Sequence, residues 1–350
     1  MRVDFVINGR VIGPGYPIYI VAELSANHNQ SFDHAVALVH AAKEAGADAV
    51  KLQTYRPDTI TINTDSPLFR HSADSPWAGK TLYDLYSEAH MPWEWQPKLK
   101  EIADEIGIDL FSTAFDPSAV DFLEEMGVPV HKVASFEIVD SPLIEKMART
   151  GKPLIISTGM ATLGEIEEAV RVARNAGATQ IALLKCTSAY PASPEEVNLR
   201  TIPHMAETFG VQVGISDHTL GIAVPVAAVA LGACIVEKHL TLSRDIPSPD
   251  SAFSLEPNEF RAMVQAIRET EKALGTVRYG PSDKEAKSLV VRRSLFVVKD
   301  VKAGEIFTEE NVRSIRPGHG LPPKFLKYIL GRQAARDIAR GTPLRWELIQ

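Results

Sequence analysis

The chain has 350 residues, of which 45% are hydrophobic and 23% charged, a composition typical of a soluble globular protein with room for one large domain and a small one. Its net charge of −7 argues against a nucleic-acid surface, which needs a basic stripe, but is compatible with a small anionic ligand. No apolar run approaches the roughly 18 residues of a membrane span, so we expect a cytoplasmic protein with no nucleic-acid and no membrane partner.

After a short hairpin, the chain repeats one unit: an apolar run, a polar cluster and an amphipathic helix. Residues 1–15 alternate around Asn8-Gly9, a pair typical of two-residue hairpin turns. The runs that follow are IYIVAE (18–23), AVKLQ (49–53), IDLFST (108–113), PVHKVAS (129–135), PLIISTG (153–159), IALLKCT (181–187), VQVGISD (211–217) and ACIVEKH (233–239). Such runs suit strands buried on both faces. Cys186 and Cys234 fall inside them, so we expect buried thiols rather than a disulfide.

The helices between the runs carry their own start and stop signals. Asp116 followed by Pro117 offers an N-cap and a first-turn proline, and Thr162 with Glu165 forms a capping box. About eight such units match a (β/α)₈ TIM barrel, which we place at residues 1–280. An open doubly wound sheet is the alternative, but it gathers its ligand groups near one switch point, whereas here every run ends in polar residues.

One long interruption separates the second run from the third. Residues 54–95 contain Trp77, Trp93 and Trp95, more than a simple connection needs. The segment is predicted to be either a packed surface helix or a βα loop that covers a substrate.

The pattern changes again near the C-terminus. Residues 281–290 are linker-like, and residues 291–350 contain a short internal repeat, DVKAGEIF (300–307) and DIARGTPL (337–344). The repeat predicts a small β-rich module. It is too small for a second enzyme, so we expect it to contact the first domain or a partner.

Two segments near the end of the predicted barrel each end an apolar run in a histidine. They are GISDHTL (214–220), with His218, and IVEKHLT (235–241), with His239. A strand, helix, strand unit puts both imidazoles at the same end of neighbouring parallel strands, where they could share a divalent metal ion. The alternative is that each histidine is a hydrogen-bonded core or rim residue.

Polar side chains recur at or just after the ends of the other runs. They are Glu23, Lys51, Gln53, Thr113, Lys132, Ser135, Glu137, Ser157, Ser188, Tyr190, Ser216 and Asp250. In a barrel these positions converge on one mouth. Lysines with serines suit a phosphorylated anion, and carboxylates suit proton transfer or sugar hydroxyls. Individually, Lys51 could instead form a structural salt bridge with Glu23, and Ser157 could cap the next helix.

The motifs at these residues resemble the sialic acid synthase family. They are AELSANHNQ (22–30), AVKLQTY (49–55), FSTAFD (111–116), HKVASFEI (131–138), ISTGMA (156–161), KCTSAYP (185–191), GISDHTL, VEKHLT (236–241), PDSAFSL (249–255) and IRPGHG (315–320). Members, of the N-acylneuraminate-9-phosphate or neuraminate synthase type, are TIM barrels with a C-terminal antifreeze-like (SAF) domain. TLYDLYSEAHMPWEW, SANHNQ and PSPDSAFSLEP are most similar to the pseudaminic acid branch.

The resemblance implies a metal-dependent condensation of phosphoenolpyruvate with an N-acyl amino sugar and water. For the pseudaminic acid branch the sugar is 2,4-diacetamido-2,4,6-trideoxy-altrose, and the products are pseudaminic acid and phosphate. The alternatives are an N-acetylneuraminate or legionaminate synthase that uses a different hexosamine and, from another class, a non-catalytic carbohydrate-binding protein.

The resemblance also implies roles for single residues. His218 and His239 would be catalytic and hold Mn²⁺ or Mg²⁺, and Glu23 would orient or deprotonate the attacking water, with Glu137 as the alternative. Phosphoenolpyruvate would contact Lys51, Lys132, Ser135, Ser157 and Ser216, together with Ser188, which replaces the Asn usual in sialic acid synthases. The sugar would contact Gln53, Thr113, Tyr190 and Asp250. Arg316 would reach the sugar of a neighbouring subunit, which implies a domain-swapped homodimer.

Overall fold

The computed structural model describes residues 4–72 and 77–350. The described residues form two compact units, one that ends at Gly275 and one that begins at Thr276. The first three residues of the predicted hairpin and residues 73–76 of the predicted long loop lie outside the described residues. Within the described ranges, no helix combines the length and the apolar character that crossing a membrane requires.

The first unit is a closed parallel barrel preceded by a hairpin. The hairpin strands are β1 (Phe5–Ile7) and β2 (Arg10–Ile12), and Asn8 and Gly9 between them have positive φ values. The barrel strands are β3 (Tyr19–Glu23), β4 (Ala49–Thr54), β5 (Asp109–Ala114), β6 (His131–Val133), β7 (Leu154–Ser157), β8 (Ile181–Cys186), β9 (Gln212–Asp217) and β10 (Ile235–His239). Strand β10 pairs in parallel with both β9 and β3, which closes the ring. The predicted TIM barrel is confirmed, and the open sheet is wrong.

The helices of this unit follow the predicted capping signals. They are α1 (Phe32–Ala45), α2 (Pro57–Ile60), α3 (Leu82–Ala89), α4 (Gln96–Ile106), α5 (Pro117–Glu125), α6 (Ser141–Arg149), α7 (Leu163–Asn175), α8 (Pro194–Val197), α9 (Thr201–Phe209), α10 (Ala223–Ala230) and α11 (Pro257–Leu274). The Asp116 carboxylate accepts hydrogen bonds from the first backbone amides of α5, and Thr162 with Glu165 forms a capping box on α7. These caps satisfy amide groups that have no partner inside the helix.

The hairpin covers the amino end of the barrel. Phe5, Ile7 and Ile12 are buried in the same apolar core as the strands. The Gln180 side chain, one residue before β8, accepts a hydrogen bond from the Val6 amide at 2.7 Å. The opposite, carboxyl end of the barrel is the end at which active sites of this fold form.

The second unit is built on the predicted internal repeat. Its elements are β11 (Ser294–Val297), β12 (Val312–Ile315), α12 (Asp283–Ala286) and α13 (Leu326–Ile329). The two repeats bind each other reciprocally: Asp337 accepts from the Ala303 amide at 2.9 Å, and Asp300 accepts from the Arg340 amide at 2.7 Å. Because 300 corresponds to 337 and 303 to 340, the repeat in the sequence is also a repeat in the structure.

Candidate active site

A cavity of about 520 Å³ opens at the carboxyl end of the barrel strands, a size suited to small-molecule ligands. It is lined by most of the predicted site residues: Glu23, Lys51, Gln53, Thr113, Lys132, Ser135, Glu137, Ser157, Tyr190, Ser216, His218, His239 and Asp250. These side chains come from every strand of the barrel or from the segment that follows it. The fold therefore brings together residues more than 200 positions apart in the sequence.

Lys51 on β4 is the centre of a buried charge cluster. Its ammonium group lies 2.5 Å from Glu23 Oε2 and 3.6 Å from Glu237 Oε1, and it donates a hydrogen bond to Thr113 Oγ1 at 3.1 Å. Burial and the carboxylate of Glu237 raise the pKa of Glu23 to about 7, against the opposing charge of Lys51. The predicted structural salt bridge between Lys51 and Glu23 thus exists, but it lies inside the cavity rather than in the packed core.

Lys132 on β6 supplies the second buried ammonium group. It donates to Ser157 Oγ at 2.6 Å and to the Val133 carbonyl at 2.9 Å. Burial lowers its pKa, although Glu237 opposes the shift. Both of these hydrogen-bond partners are neutral, so an anion that enters beside Ser157 meets a positive charge that they do not neutralise.

Three strand ends meet closely around Gly159, just after β7. Its amide donates to Ser135 Oγ at 3.1 Å, and a Cβ built on it would lie 2.2 Å from Ser188 Oγ and 2.6 Å from Ser135 Oγ. Ser188 is therefore beside the cavity wall rather than among the residues that line it. Only glycine lets the two hydroxyl groups approach the backbone so closely.

The two predicted metal-binding histidines lie side by side. The rings of His218 and His239 have centroids 5.2 Å apart, and both are buried. His218 Nδ1 faces the Thr187 carbonyl at 3.0 Å, and His239 Nδ1 lies 3.2 Å from Ser25 Oγ. These contacts orient the rings and leave their Nε2 atoms as the available ligand atoms. Burial and the neighbouring positive charges hold the pKa of His239 well below its ordinary value, so its imidazole is neutral, as a metal ligand must be.

The protein offers two imidazole nitrogens to a divalent cation, which is fewer ligands than such an ion needs. Among residues 4–72 and 77–350, no group of three or more His, Cys, Asp and Glu side chains is arranged to hold a metal ion. Glu237 Oε2 is buried and has no hydrogen-bond partner in that part of the chain. Two imidazoles could serve as ligands of a divalent ion and would leave its other coordination positions to substrate or water.

Glu137 lies in the segment after β6 and lines the same cavity. Its Oε2 atom is buried and has no hydrogen-bond partner among the described residues. Burial raises its pKa to about 7. A carboxyl group with this pKa and a free oxygen can both accept and donate a proton near neutral pH.

Glu237 and Cys186 also line the cavity, and neither was assigned a role in the sequence analysis. Glu237 accepts a hydrogen bond from Ser216 at 3.0 Å and faces Lys51, and Cys186 lies 3.8 Å from His218 Nδ1. The signal for Glu237 was strand alternation: a residue two positions before His239 points to the same face. Arg316 lies in the second unit, directly after β12, and its predicted contact with the sugar remains a prediction.

Comparison with known proteins finds relatives that cover both units of the chain. Residues 38–279 match the NeuB family, and residues 292–350 match the SAF domain. The chain is 46% identical over 330 residues to the pseudaminic acid synthase of Helicobacter pylori, covering 94% of this chain and 96% of that protein. It is 39% identical over 350 residues to the N,N'-diacetyllegionaminic acid synthase of Legionella pneumophila, covering 98% of each. The solved structure of spore coat polysaccharide biosynthesis protein spsE from Bacillus subtilis matches with a TM-score of 0.67, 34% identity and 99% coverage of both chains.

Proposed function

Because the chain belongs to the NeuB family, we propose that it condenses phosphoenolpyruvate with 2,4-diacetamido-2,4,6-trideoxy-altrose and water to give pseudaminic acid and phosphate. The resemblance to the sialic acid synthase family is confirmed. The similarity to a pseudaminic acid synthase over 94% of the chain supports an enzyme that makes a nonulosonic acid rather than a non-catalytic carbohydrate-binding protein.

The observation that carries the proposal is the joint presence of two buried lysines, a buried histidine pair and four carboxyl groups in one cavity. Removing charged groups from water is costly unless ligands or partners compensate. A cavity with this composition therefore favours a ligand that is itself highly charged, and phosphoenolpyruvate carries both a carboxylate and a phosphate.

In this proposal Lys132, Ser157 and Ser135 bind the phosphate, and Lys51 with Ser216 binds the carboxylate. The ammonium groups supply point charges and the hydroxyls supply hydrogen-bond donors. Ser188 supports the phosphate site from behind, because its hydroxyl abuts Gly159 beside Ser135. Gln53, Thr113, Tyr190 and Asp250 are left to face the sugar.

His218 and His239 hold a divalent cation, Mn²⁺ or Mg²⁺, in this proposal. When bound, it acts as a Lewis acid that polarises the aldehyde of the open-chain sugar. The Nδ1 contacts with Thr187 and Ser25 fix both rings so that Nε2 faces the cavity. The ring of Tyr190, 4.6 Å from that of His218, packs beside the pair and limits the water around it.

The bond changes then follow in order. C3 of the enol phosphate forms a bond to the sugar aldehyde carbon, whose oxygen takes up a proton and becomes a hydroxyl group, and C2 becomes electron-deficient. Glu23, held by Gln53 at 2.9 Å and by Lys51, takes a proton from the water that adds to C2. The C–O bond between C2 and the phosphate oxygen breaks and phosphate leaves, while the new C2 hydroxyl group loses its proton and becomes the ketone. Glu137 is the alternative base, since its free oxygen and its pKa of about 7 suit the same role.

The legionaminic acid precursor is a second candidate acceptor. The Legionella pneumophila relative matches nearly the full chain at 39% identity, but the pseudaminic acid synthase match is closer at 46%. The chemistry at the lysines and histidines is the same for both sugars. The difference lies in the part of the cavity that receives the carbons distant from the aldehyde.

The test is a phosphate-release assay with three acceptors, the altrose compound, the legionaminic acid precursor and N-acetylmannosamine, each with and without chelator. We expect turnover with the altrose compound, loss of turnover with chelator and recovery with Mn²⁺. Fast release with N-acetylmannosamine alone would overturn the assigned acceptor. Full activity after exhaustive chelation would overturn the role of the histidine pair.

The role of Glu23 can be separated from binding. E23Q is expected to cut turnover while Mn²⁺ affinity, measured by calorimetry, stays within about twofold. E137Q in the same assay distinguishes the two candidate bases, since the larger fall in kcat identifies the group that activates water. For the predicted homodimer, truncation at about residue 285 removes Arg316, and loss of turnover with retained Mn²⁺ binding is the expected result.

A further inference from the structure

One wall of the cavity is mostly apolar, and the proposed reaction gives it no role. Ile60, Leu82, Leu85, Tyr86, Ala89 and Phe115 line it together with the charged residues. We call these six residues the apolar wall. Five of them come from the long segment between β4 and β5, which contains α2 and α3. That segment was predicted to be either a packed surface helix or a loop over the substrate, and it has features of both.

The apolar wall is anchored to the barrel rather than lying loosely over it. The ring of Tyr55, which follows β4, contacts the ring of Tyr86 at 5.8 Å and that of Phe115 at 5.2 Å between centroids. Gln30, in the segment after β3, donates hydrogen bonds to the carbonyls of Glu88 and His90 at 2.9 and 2.6 Å. The end of α3 is thereby tied to the barrel, and the position of the wall is fixed before a ligand enters.

The orientation of the acceptor follows from the chemistry already proposed. Its aldehyde carbon, C1, must lie beside the histidine pair and the enol carbon of phosphoenolpyruvate. C6 is the other end of the open chain, so it extends away from the charged wall. Against the side chains of Ile60, Leu82 and Leu85, a hydroxyl group at C6 would lose its water and gain no hydrogen bond, whereas a methyl group would gain apolar contact.

We propose that the apolar wall binds the C6 methyl group of a 6-deoxy acceptor and selects this sugar over the same sugar with a hydroxyl group at C6. The inference rests on the proposed function, because it takes C1 to react at the histidine pair. Leu82, Leu85 and Ile60 are thus the residues that determine specificity at C6 of the acceptor.

The experiment compares two acceptors, 2,4-diacetamido-2,4,6-trideoxy-altrose and its 6-hydroxy analogue, by kcat/KM in the full-length enzyme. Apolar pockets discriminate by roughly 10-fold to 200-fold for changes of this size, so we expect the wild type to favour the 6-deoxy sugar by at least about 10-fold. L82S and, independently, I60T should reduce that ratio several-fold while the KM for phosphoenolpyruvate stays unchanged. Leu82 and Ile60 are half-buried, so both variants are suited to folding normally.

The matched control is L68S. Leu68 lies on the same segment, is 87% exposed and does not line the cavity, so this variant should keep the wild-type ratio. Equal kcat/KM for both sugars in the wild type would overturn the role of the wall and leave the proposed function standing, since both would release phosphate. No turnover of either sugar would overturn the proposed function and this inference with it. An unchanged ratio in both L82S and I60T would remove these two residues from the determinants and overturn the inference.

Discussion

The ion pair between Asp217 and Lys238 offers the sharpest test of how the site is held together. These residues alternate with the site residues of β9 and β10, so they point away from the cavity. Both side chains are almost wholly excluded from solvent, at 1% and 0% exposure. Lys238 donates to the Asp217 carboxylate and to the Thr219 carbonyl. Lys238 therefore forms hydrogen bonds with both neighbours of His218 in the sequence, Asp217 and Thr219.

Replacing Lys238 by methionine keeps the volume of the side chain but removes its charge and its donors. The Asp217 carboxylate would keep its hydrogen bonds from the Thr219 amide and hydroxyl, at 3.1 and 2.9 Å, and lose the ammonium group that neutralises it. Breaking a buried pair by removing one partner costs about 3–5 kcal/mol. For a domain of this size that lowers Tm by on the order of 10 °C.

The assay is thermal and urea unfolding of K238M beside D217N/K238M. The double variant removes the stranded charge, and the carboxamide oxygen that D217N introduces can still accept from Thr219, so we expect it to recover at least about half of the lost stability. K146M is the control, because Lys146 forms a solvent-accessible pair with Asp121 on the same barrel. Such pairs contribute less than about 1 kcal/mol.

The same variants report on the histidine pair. A loosened His218 should weaken Mn²⁺ binding by roughly 10-fold to 100-fold, as loss of supporting contacts around metal ligands does, and calorimetry measures this apart from turnover. If K238M unfolded at the wild-type temperature and bound Mn²⁺ with wild-type affinity, the reasoning from buried charge to site geometry would be refuted.

Two further variants test other parts of the cavity. Burial raises the pKa of Glu137 from 4.5 to about 7, so the unfolded chain ionises first as pH rises, and the native state loses about 3 kcal/mol between pH 4.5 and neutral pH. E137Q should therefore match the wild type in urea unfolding at pH 4 and exceed it at pH 8; equal stability at both pH values would contradict the assignment. G159A would push a Cβ into the hydroxyls of Ser135 and Ser188, and we expect kcat/KM to fall by about 100-fold. G164A, which meets open space in α7, should leave kcat/KM unchanged, and an equal effect of the two substitutions would rule out the steric explanation.

The barrel could be predicted from sequence because each strand is apolar throughout and each helix carries a local cap. Those signals span only a few residues and do not depend on distant parts of the chain. The convergence of Lys51, Lys132, His218 and His239 followed from the same topology, since strand ends of a barrel share one mouth. The repeat in the second unit could also be recognised from short stretches of sequence. Asp300 and Asp337 occupy equivalent positions in the two copies, and each accepts a hydrogen bond from a backbone amide of the other copy.

What the sequence could not supply is the complete set of partners of each charged group: it offered Glu23 as a partner of Lys51, but not Glu237. Lys51 binds Glu23 and Glu237, whereas Lys132 donates its hydrogen bonds to neutral groups, Ser157 and the Val133 carbonyl. This difference depends on register around the ring and on side-chain length, neither of which has a local pattern. The hydrogen bonds by which Gln30 anchors the end of α3 could not be predicted from local sequence either, because they join segments about 60 residues apart.

The net charge of the cavity determines what an anionic ligand needs in order to bind there. Lys51 and Lys132 are roughly matched by Glu23 and Glu237, so the charges of these four groups nearly cancel. A phosphate group carries about 1.5 to 2 negative charges at neutral pH, and the carboxylate of phosphoenolpyruvate adds one more. Such an anion cannot enter a buried site unless positive charge accompanies it. A divalent cation at the histidine pair would supply that charge and leave Glu23 ionised, as a base for the attacking water must be. Because the histidine pair lines the same cavity as Lys51 and Lys132, anion binding and cation binding at this site should be mutually dependent.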